Sequence, residues 1–515
     1  NIVTLAKINP SKLSSWKKLV KQFDKECDHH ISDFFKDEDK RLDNFSISWN
    51  NFYLDFSKNR LSNNTFMLFK NLCEETNLKK NIDKYFDGAV INETENRAVL
   101  HTVLRTSGNN QVNKTLKQIF NISDDINNSK RLGCTGKKIK DVVNIGIGGS
   151  HLGPEMVSEA LSYFSKGIKP HFISNIDPDF TLKLLEKLNP ETTLFIIVSK
   201  TFTTIETMEN AKKVKAWFVK HIDEHSIKDH FISISNNIEG PKKFGISAEN
   251  ILPIPDWVGG RFSLWGSVGL IISIVIGSEN FKDFLKGANE MDMHFKKSPF
   301  EKNIPVVLAL ISIWYNNFFN CETEAVVPYN QFLAKLPDYL QQASMESNGK
   351  SIDRAGKKVD YETGPIIWGS TGTNAQHAFF QLMHQGTKII PTDFIAFKKS
   401  LYDDSYQQKI LNSNFLAQTN ALMMGKGYSG YDIHKSIDGN KPSNSIVINK
   451  LNPFNLGSLI AMYENKIFTI GSILNIFSYD QWGVELGKSI ASEILKGKKE
   501  NLDKSTEKIK QLLKR

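Results

Sequence analysis

From residue 141 onward short apolar runs alternate with helical stretches, and no other feature of the chain constrains its fold as tightly. Val142 to Ile145 reads as a buried strand, Gly146 to Gly149 as a glycine turn, and Pro154 to Phe164 as a helix with proline in its first turn. The unit then repeats. His171 to Ile176 reads as strand, Phe180 to Leu188 as helix, Leu194 to Val198 as strand, Ile205 to His221 as helix and Phe231 to Ser235 as strand. Strands separated by helices of roughly 10 to 15 residues imply a parallel sheet with right-handed crossovers.

A second such region starts near Ile304. It predicts a helix to Phe319, a strand at Ala325 to Val327, a helix at Phe332 to Gln342 and a strand at Ile366 to Trp368. Another helix, Asn374 to Gln385, and another strand, Lys388 to Pro391, follow. Residues 10 to 95 differ: they give amphipathic helices such as Leu13 to Phe23 and Thr65 to Asn77, and no convincing strand. A chain of 515 residues exceeds one hydrophobic core. The expected class is therefore α/β, two facing layers with helical segments at both ends.

Charge excludes nucleic acid as a partner. The last twenty residues hold eight basic and three acidic side chains, more than half of the net +9, so the rest lacks the basic face that a phosphate backbone requires. That tail reads as the solvated side of a terminal helix with Ile509, Leu512 and Leu513 facing inward. Cys27, Cys73, Cys134 and Cys321 lie far apart with no metal-ligand spacing, as expected of reduced thiols. The longest apolar run, Val268 to Gly277, is too short to span a membrane, and Asn1 to Ser15 has no apolar signal stretch. A cytoplasmic protein with no membrane partner is expected.

Candidate chemistry gathers at strand ends. Gly146 to Ser150 leaves bare amides and a hydroxyl at a helix start, which suits an anion or, equally, tight strand-to-helix packing. As a dinucleotide fingerprint it fails, because His151 stands where the last glycine belongs. In Ser199-Lys-Thr-Phe-Thr-Thr-Ile-Glu-Thr207 four hydroxyls and one ammonium precede a helix, and Thr204 and Thr207 share one helix face. A phosphate accounts for this cluster better than an N-cap does. Arg261, after Gly259 and Gly260, puts a permanent cation beside closely approaching backbone; an oxyanion site and a structural salt bridge both fit. Taken singly, Glu346 is a loop glutamate after a helix, His377 a histidine near a helix start, and Lys488 a solvated helix lysine.

In order along the chain stand Asp55 to Lys58, Glu95 to His101, the glycine loop through Pro154, Ser199 to Thr207 and Gly259 to Gly269. Gln341 to Lys350, Gly369 to Gly386, Asn414 to Thr419 and Asp480 to Lys488 follow. Together these stretches closely resemble the glucose-6-phosphate isomerase (phosphoglucose isomerase) family, over roughly residues 45 to 490. Asp256 to Gly269 and Gly471 to Lys488 are similar to its signature patterns. The resemblance implies two flavodoxin-like sugar-isomerase (SIS) domains, at 101–290 and 291–480, between helical segments 1–100 and 481–515. It also implies a homodimer with a composite site and the reversible conversion of glucose 6-phosphate to fructose 6-phosphate, in glycolysis and gluconeogenesis. By the same resemblance Glu346 moves a proton through a cis-enediol, His377 with Lys488 opens the ring, and Arg261 steadies the enediolate. Gly149, Ser150, Ser199, Lys200, Thr201, Thr204 and Thr207 match phosphate-binding positions, with Gly260, Gln342 and Gln481 at the substrate. No cofactor and no metal is expected. The competing reading is a silent sugar-phosphate-binding regulator on the same domains; a nicotinamide-dependent dehydrogenase ranks below it for want of the glycine fingerprint.

Overall fold

The computed structural model describes residues 4–497 and 502–513. Its strands are β1 (Ser46–Trp49), β2 (Phe52–Asp55), β3 (Asp141–Ile145), β4 (Lys169–Ile173), β5 (Thr193–Val198), β6 (Phe231–Ile234) and β7 (Ile251–Leu252). The later ones are β8 (Thr323–Pro328), β9 (Ile366–Trp368), β10 (Thr392–Phe397) and β11 (Ser443–Ile448). The first sheet runs β4-β3-β5-β6-β7 and is wholly parallel. The second runs β1-β2-β11-β10-β8-β9, parallel from β11 to β9, with the β1–β2 hairpin added antiparallel on β11. The α/β class with parallel-sheet domains is thus observed.

Side-chain alternation shows why both sheets are covered on two faces. In β5, Leu194, Ile196 and Val198 enter one core, while Phe195 and Ile197 enter another under the helix Ile205–His221. In β10, Ile395 and Phe397 join that same first core, whereas Phe394 and Ala396 pack with Phe415 of the helix Ser405–Met424. A strand buried on both faces reads as a continuous apolar run, which is how β5 shows itself in the sequence. The shared core lies between the sheets and is built on helices. Pro453–Ile473, buried along almost its entire length, crosses Ser278–Lys297 so closely that a Cβ on Gly457 would sit 2.0 Å from the Phe284 carbonyl oxygen. The apolar run expected from Val268 forms the buried helix Leu270–Ile276. Among the described residues no helix is long and apolar enough to cross a membrane.

Four expectations need correction. The N-terminal stretch is not free of strands: β1 and β2 are too short for a strong period-2 signal and are fixed by pairing, β1 with β2 and β2 with β11. The strand expected at Lys388 to Pro391 begins at Thr392, because Pro391 has no N–H to donate and joins the ladder only through its carbonyl, which accepts from the Ala325 amide at 2.9 Å. The helix expected over Asn374 to Gln385 is two pieces, a single 3₁₀ turn at Asn374–His377 and a helix at Phe380–Gln385. In the terminal helix Lys504–Leu513, Ile509, Leu512 and Leu513 are 53%, 56% and 82% exposed instead of facing inward, since no surface among the described residues covers that stripe. Residues 498–501, 514 and 515 of the tail lie outside the described residues.

Candidate active site

The loops after β3 and β5 leave the carboxyl ends of neighbouring parallel strands, where open α/β sheets bind ligands. After β3 the chain makes a 3₁₀ turn, Gly148–Ser150, and enters the helix Leu152–Ala160. Asn144 in β3 steadies that turn, its side-chain amide donating to the Ser150 carbonyl at 2.9 Å. A second 3₁₀ turn, Gly260–Phe262, lies directly against the first. A Cβ on Gly149 would stand 2.1 Å from the Gly260 carbonyl carbon and 2.5 Å from the Arg261 nitrogen, so only glycine permits this approach. The contact brings Ser150 and Arg261 to one place.

After β5 the Ser199 to Thr204 loop gathers its hydroxyls. Ser199 Oγ and Thr204 Oγ1 are 3.1 Å apart, and Thr201 Oγ1 lies 2.6 Å from Thr203 Oγ1. Thr204 occupies the N-cap of Ile205–His221 yet makes no side-chain capping bond, so helix capping does not explain the cluster. One turn on, Thr207 is 1% exposed and its hydroxyl has no hydrogen-bond partner among the described residues. A buried unpaired hydroxyl costs stability unless something else meets it. Lys200 reaches the carbonyls of Pro255 and Asp256 at 3.4 and 3.3 Å; burial lowers its pKa, and the Asp256 carboxylate at 3.4 Å opposes that shift.

Arg261 is 4% exposed and almost fully engaged. Its Nε donates to Ser347 Oγ at 2.7 Å, Nη1 to Gln481 Oε1 at 3.0 Å, and Nη2 to the carbonyls of Ser478 and Asp480 at 2.6 and 3.2 Å. Nη1 also stands 3.6 Å from Glu346 Oε2. Burial pulls its pKa down and the Glu346 carboxylate pulls it up, but a guanidinium stays charged through any such shift. Beneath it Phe262 stacks on the buried His101 ring, 4.8 Å between centroids. The turn carrying His101 ends at Arg105, whose guanidinium is locked to Asp292 at 2.6 and 2.7 Å and to Glu464.

Glu346, expected in a loop, instead ends a widened π turn, Gln341–Glu346, that continues the helix Leu336–Leu340. Such turns insert one residue and concentrate at functional sites. The widening leaves Gln342 beside Glu346, its amide donating to Oε2 at 2.9 Å. Glu346, Arg261, Gln342 and Gln481 therefore form one cluster. The structure does not bring the other two expected residues into it. His377 is exposed on its 3₁₀ turn, and Lys488 pairs with Glu485 at 3.1 Å on the helix Glu485–Leu495, of which no residue is buried. Sequence reasoning missed Ser347, Lys350, Ser478 and Asp480; for Lys350 the signal available was its spacing of four from Glu346.

The model of the family described as Phosphoglucose isomerase matches residues 55–509. The chain is 51% identical to a glucose-6-phosphate isomerase of Christiangramia forsetii, covering 98% of both chains, and 49% identical to one of Buchnera aphidicola, covering 95% of this chain and 94% of that one. Its structure is similar to the crystal structure of a glucose-6-phosphate isomerase from Chlamydia trachomatis, with a TM-score of 0.90 at 30% identity over 98% of this chain and 100% of that chain. A hypothetical protein from Thermus thermophilus shares the fold, with a TM-score of 0.61 at 20% identity over 82% of this chain and 96% of that chain.

Proposed function

The chain belongs to the phosphoglucose isomerase family, and on that premise we propose how its side chains carry the family's reaction. It is an enzyme that reversibly interconverts glucose 6-phosphate and fructose 6-phosphate. The phosphate is held by Ser150, Ser199, Thr201, Thr204 and Thr207, with the Gly149 backbone and the Lys200 ammonium beside them. A dianion so gripped fixes the reacting carbons against the base. Lys488 and the partner subunit's His377 open the ring. Glu346 takes the proton from one of carbons 1 and 2 and returns it to the other through a cis-enediol, and such general base catalysis contributes ~10² to 10⁴ in rate. Arg261 meets the negative charge that develops on the enediolate, while Gly260, Gln342 and Gln481 line the sugar.

One observation carries this reading. The Glu346 carboxylate is aimed by the Gln342 amide at 2.9 Å and faces the Arg261 cation at 3.6 Å, with no closer salt bridge among the described residues to occupy it. It is positioned and still free to accept a proton. Glu346→Gln is expected to fold and bind fructose 6-phosphate while kcat drops by at least ~10². In heavy water the wild type places deuterium on carbon 2 of recovered glucose 6-phosphate; a wild type that never does so refutes the proton-transfer route.

We further propose a cytoplasmic homodimer acting in glycolysis and gluconeogenesis. Support comes from apolar side chains left outside: Tyr402, Tyr406 and Leu416 are 72%, 73% and 60% exposed, and Trp482 and Leu486 are 59% and 71% exposed. Lys488 shares its helix with Leu486, and an isologous dimer that covers such faces would let each subunit complete the other's site.

A further inference from the structure

The ammonium of Lys350 occupies an unusual position for a lysine four residues beyond Glu346. It lies 3.3 Å from the carbonyl oxygen of Glu346 and 2.9 Å from that of Ser347, two carbonyls at the C-terminal end of the widened turn. On its other side it lies 2.7 Å from the Phe477 carbonyl, 3.1 Å from the Asp480 carbonyl and 3.2 Å from the Asp480 carboxylate. An ammonium has three protons, so five oxygens share it in the manner of a bound cation. Burial lowers its pKa and Asp480 opposes that shift, which fits a charge held inside the fold for its partners.

The two segments it joins are those that build the reactive cluster. One carries Gln342 and Glu346; the other, 477–481, presents Gln481 and two carbonyls to Arg261. The Asp480 carbonyl accepts from both Arg261 and Lys350, at 3.2 and 3.1 Å. The Asp480 carboxylate takes Thr94 as its second donor, and Thr94 in turn accepts from the Trp482 indole at 3.1 Å. Arg261 and Lys350 thus clamp one backbone segment from two sides; Arg261 reaches the Glu346 turn through the Ser347 hydroxyl, and Lys350 reaches it through the backbone carbonyls of Glu346 and Ser347 at the turn's C-terminal end. Helix-end carbonyls favour a positive charge there.

We propose that Lys350 is a positioning residue for isomerisation: its ammonium staples the Glu346 turn to the 477–481 segment and sets the distance between base and oxyanion donor. The inference rests on Glu346 being the base. A displacement of about 1 Å at a reacting group costs up to ~10²-fold in rate. Lys350→Met keeps the stem and removes the charge. It is expected to lower kcat ~10- to 100-fold with KM within about threefold, and Lys350→Arg to recover most of the loss.

The experiment is steady-state kinetics of the full-length protein with fructose 6-phosphate across pH, for wild type, Lys350→Met, Lys350→Arg and Glu346→Gln, with circular dichroism to confirm folding. A folded Lys350→Met with kcat within twofold of wild type, or with its whole loss in KM, overturns the proposal. Should that variant not fold, Asp480→Asn decides: a ~3- to 10-fold fall in kcat at unchanged KM supports the staple, and unchanged kcat refutes it. Activity retained by Glu346→Gln sinks the assignment of the base itself, whereas its loss beside an unaffected Lys350→Met sinks only the staple.

Discussion

Replacing Arg261 by lysine keeps the charge and removes the fork, which makes it the sharpest probe of the site. The guanidinium meets Ser347, Gln481, Ser478 and Asp480 at 2.7, 3.0, 2.6 and 3.2 Å from three nitrogens at once. An ammonium at the end of a different stem has three protons radiating from one atom and cannot reproduce that spread. At least one of the Ser347 hydroxyl and the two carbonyls is left short of its donor, at ~1–3 kcal/mol in stability. Catalysis should lose more. A donor aimed at developing oxyanion charge is worth ~10² to 10³ in kcat, or ~2.7–4 kcal/mol. The proposed phosphate site lies elsewhere, in the Ser199 to Thr207 loop, so KM for fructose 6-phosphate should change less than about threefold. The assay couples glucose 6-phosphate formation to a nicotinamide-linked dehydrogenase, with melting curves confirming that the variant is folded. A folded Arg261→Lys enzyme with kcat within threefold of wild type would show that this cation does not stabilise the transition state.

Thr207→Val removes a buried hydroxyl that has no partner among the described residues, so the ligand-free protein should melt no earlier than wild type. Its KM for fructose 6-phosphate should nevertheless rise ~5- to 20-fold, and an unchanged KM would remove Thr207 from the phosphate site. If the site is shared between subunits, refolding Glu346→Gln together with His377→Ala should regain about a quarter of wild-type activity from two inactive variants, because each mixed dimer has one intact site; a mixture no better than its components argues for sites complete within one chain. The buried His294 ring accepts from the Ile304 amide through Nε2 at 3.1 Å and lies 2.9 Å from Ser298 Oγ through Nδ1, and burial pushes its pKa down to about 4. Below pH ~6.5 the unfolded chain therefore binds a proton that the folded one refuses, so stability falls with pH down to about 4, by ~3 kcal/mol in all. Urea midpoints measured from pH 7 to 4.5 should fall less steeply for His294→Gln than for wild type.

Much of the fold was legible because parallel strands buried on both faces leave continuous apolar runs, as at Leu194 to Val198. β10 escaped for the opposite reason. Its second residue, Asp393, breaks the run, and only in the fold does it meet Asn444 at 2.8 Å and Tyr463 at 3.0 Å from neighbouring elements. The proposed phosphate loop could be read locally, since its hydroxyls fall within one short stretch, Ser199 to Thr204. The reactive cluster could not: Arg261, Glu346 and Gln481 are far apart along the chain, and resemblance rather than local pattern singled out Glu346.

By itself the sequence determined the alternation of strand and helix, the strand-end loops and the residue types available for proton transfer, because each is written in neighbours within a few positions. Only the tertiary structure decided which of those groups meet. The close contact at Gly149, the widened turn that aims Glu346 and the lysine that ties it to Asp480 all depend on segments joined through space, whose separation no local periodicity encodes.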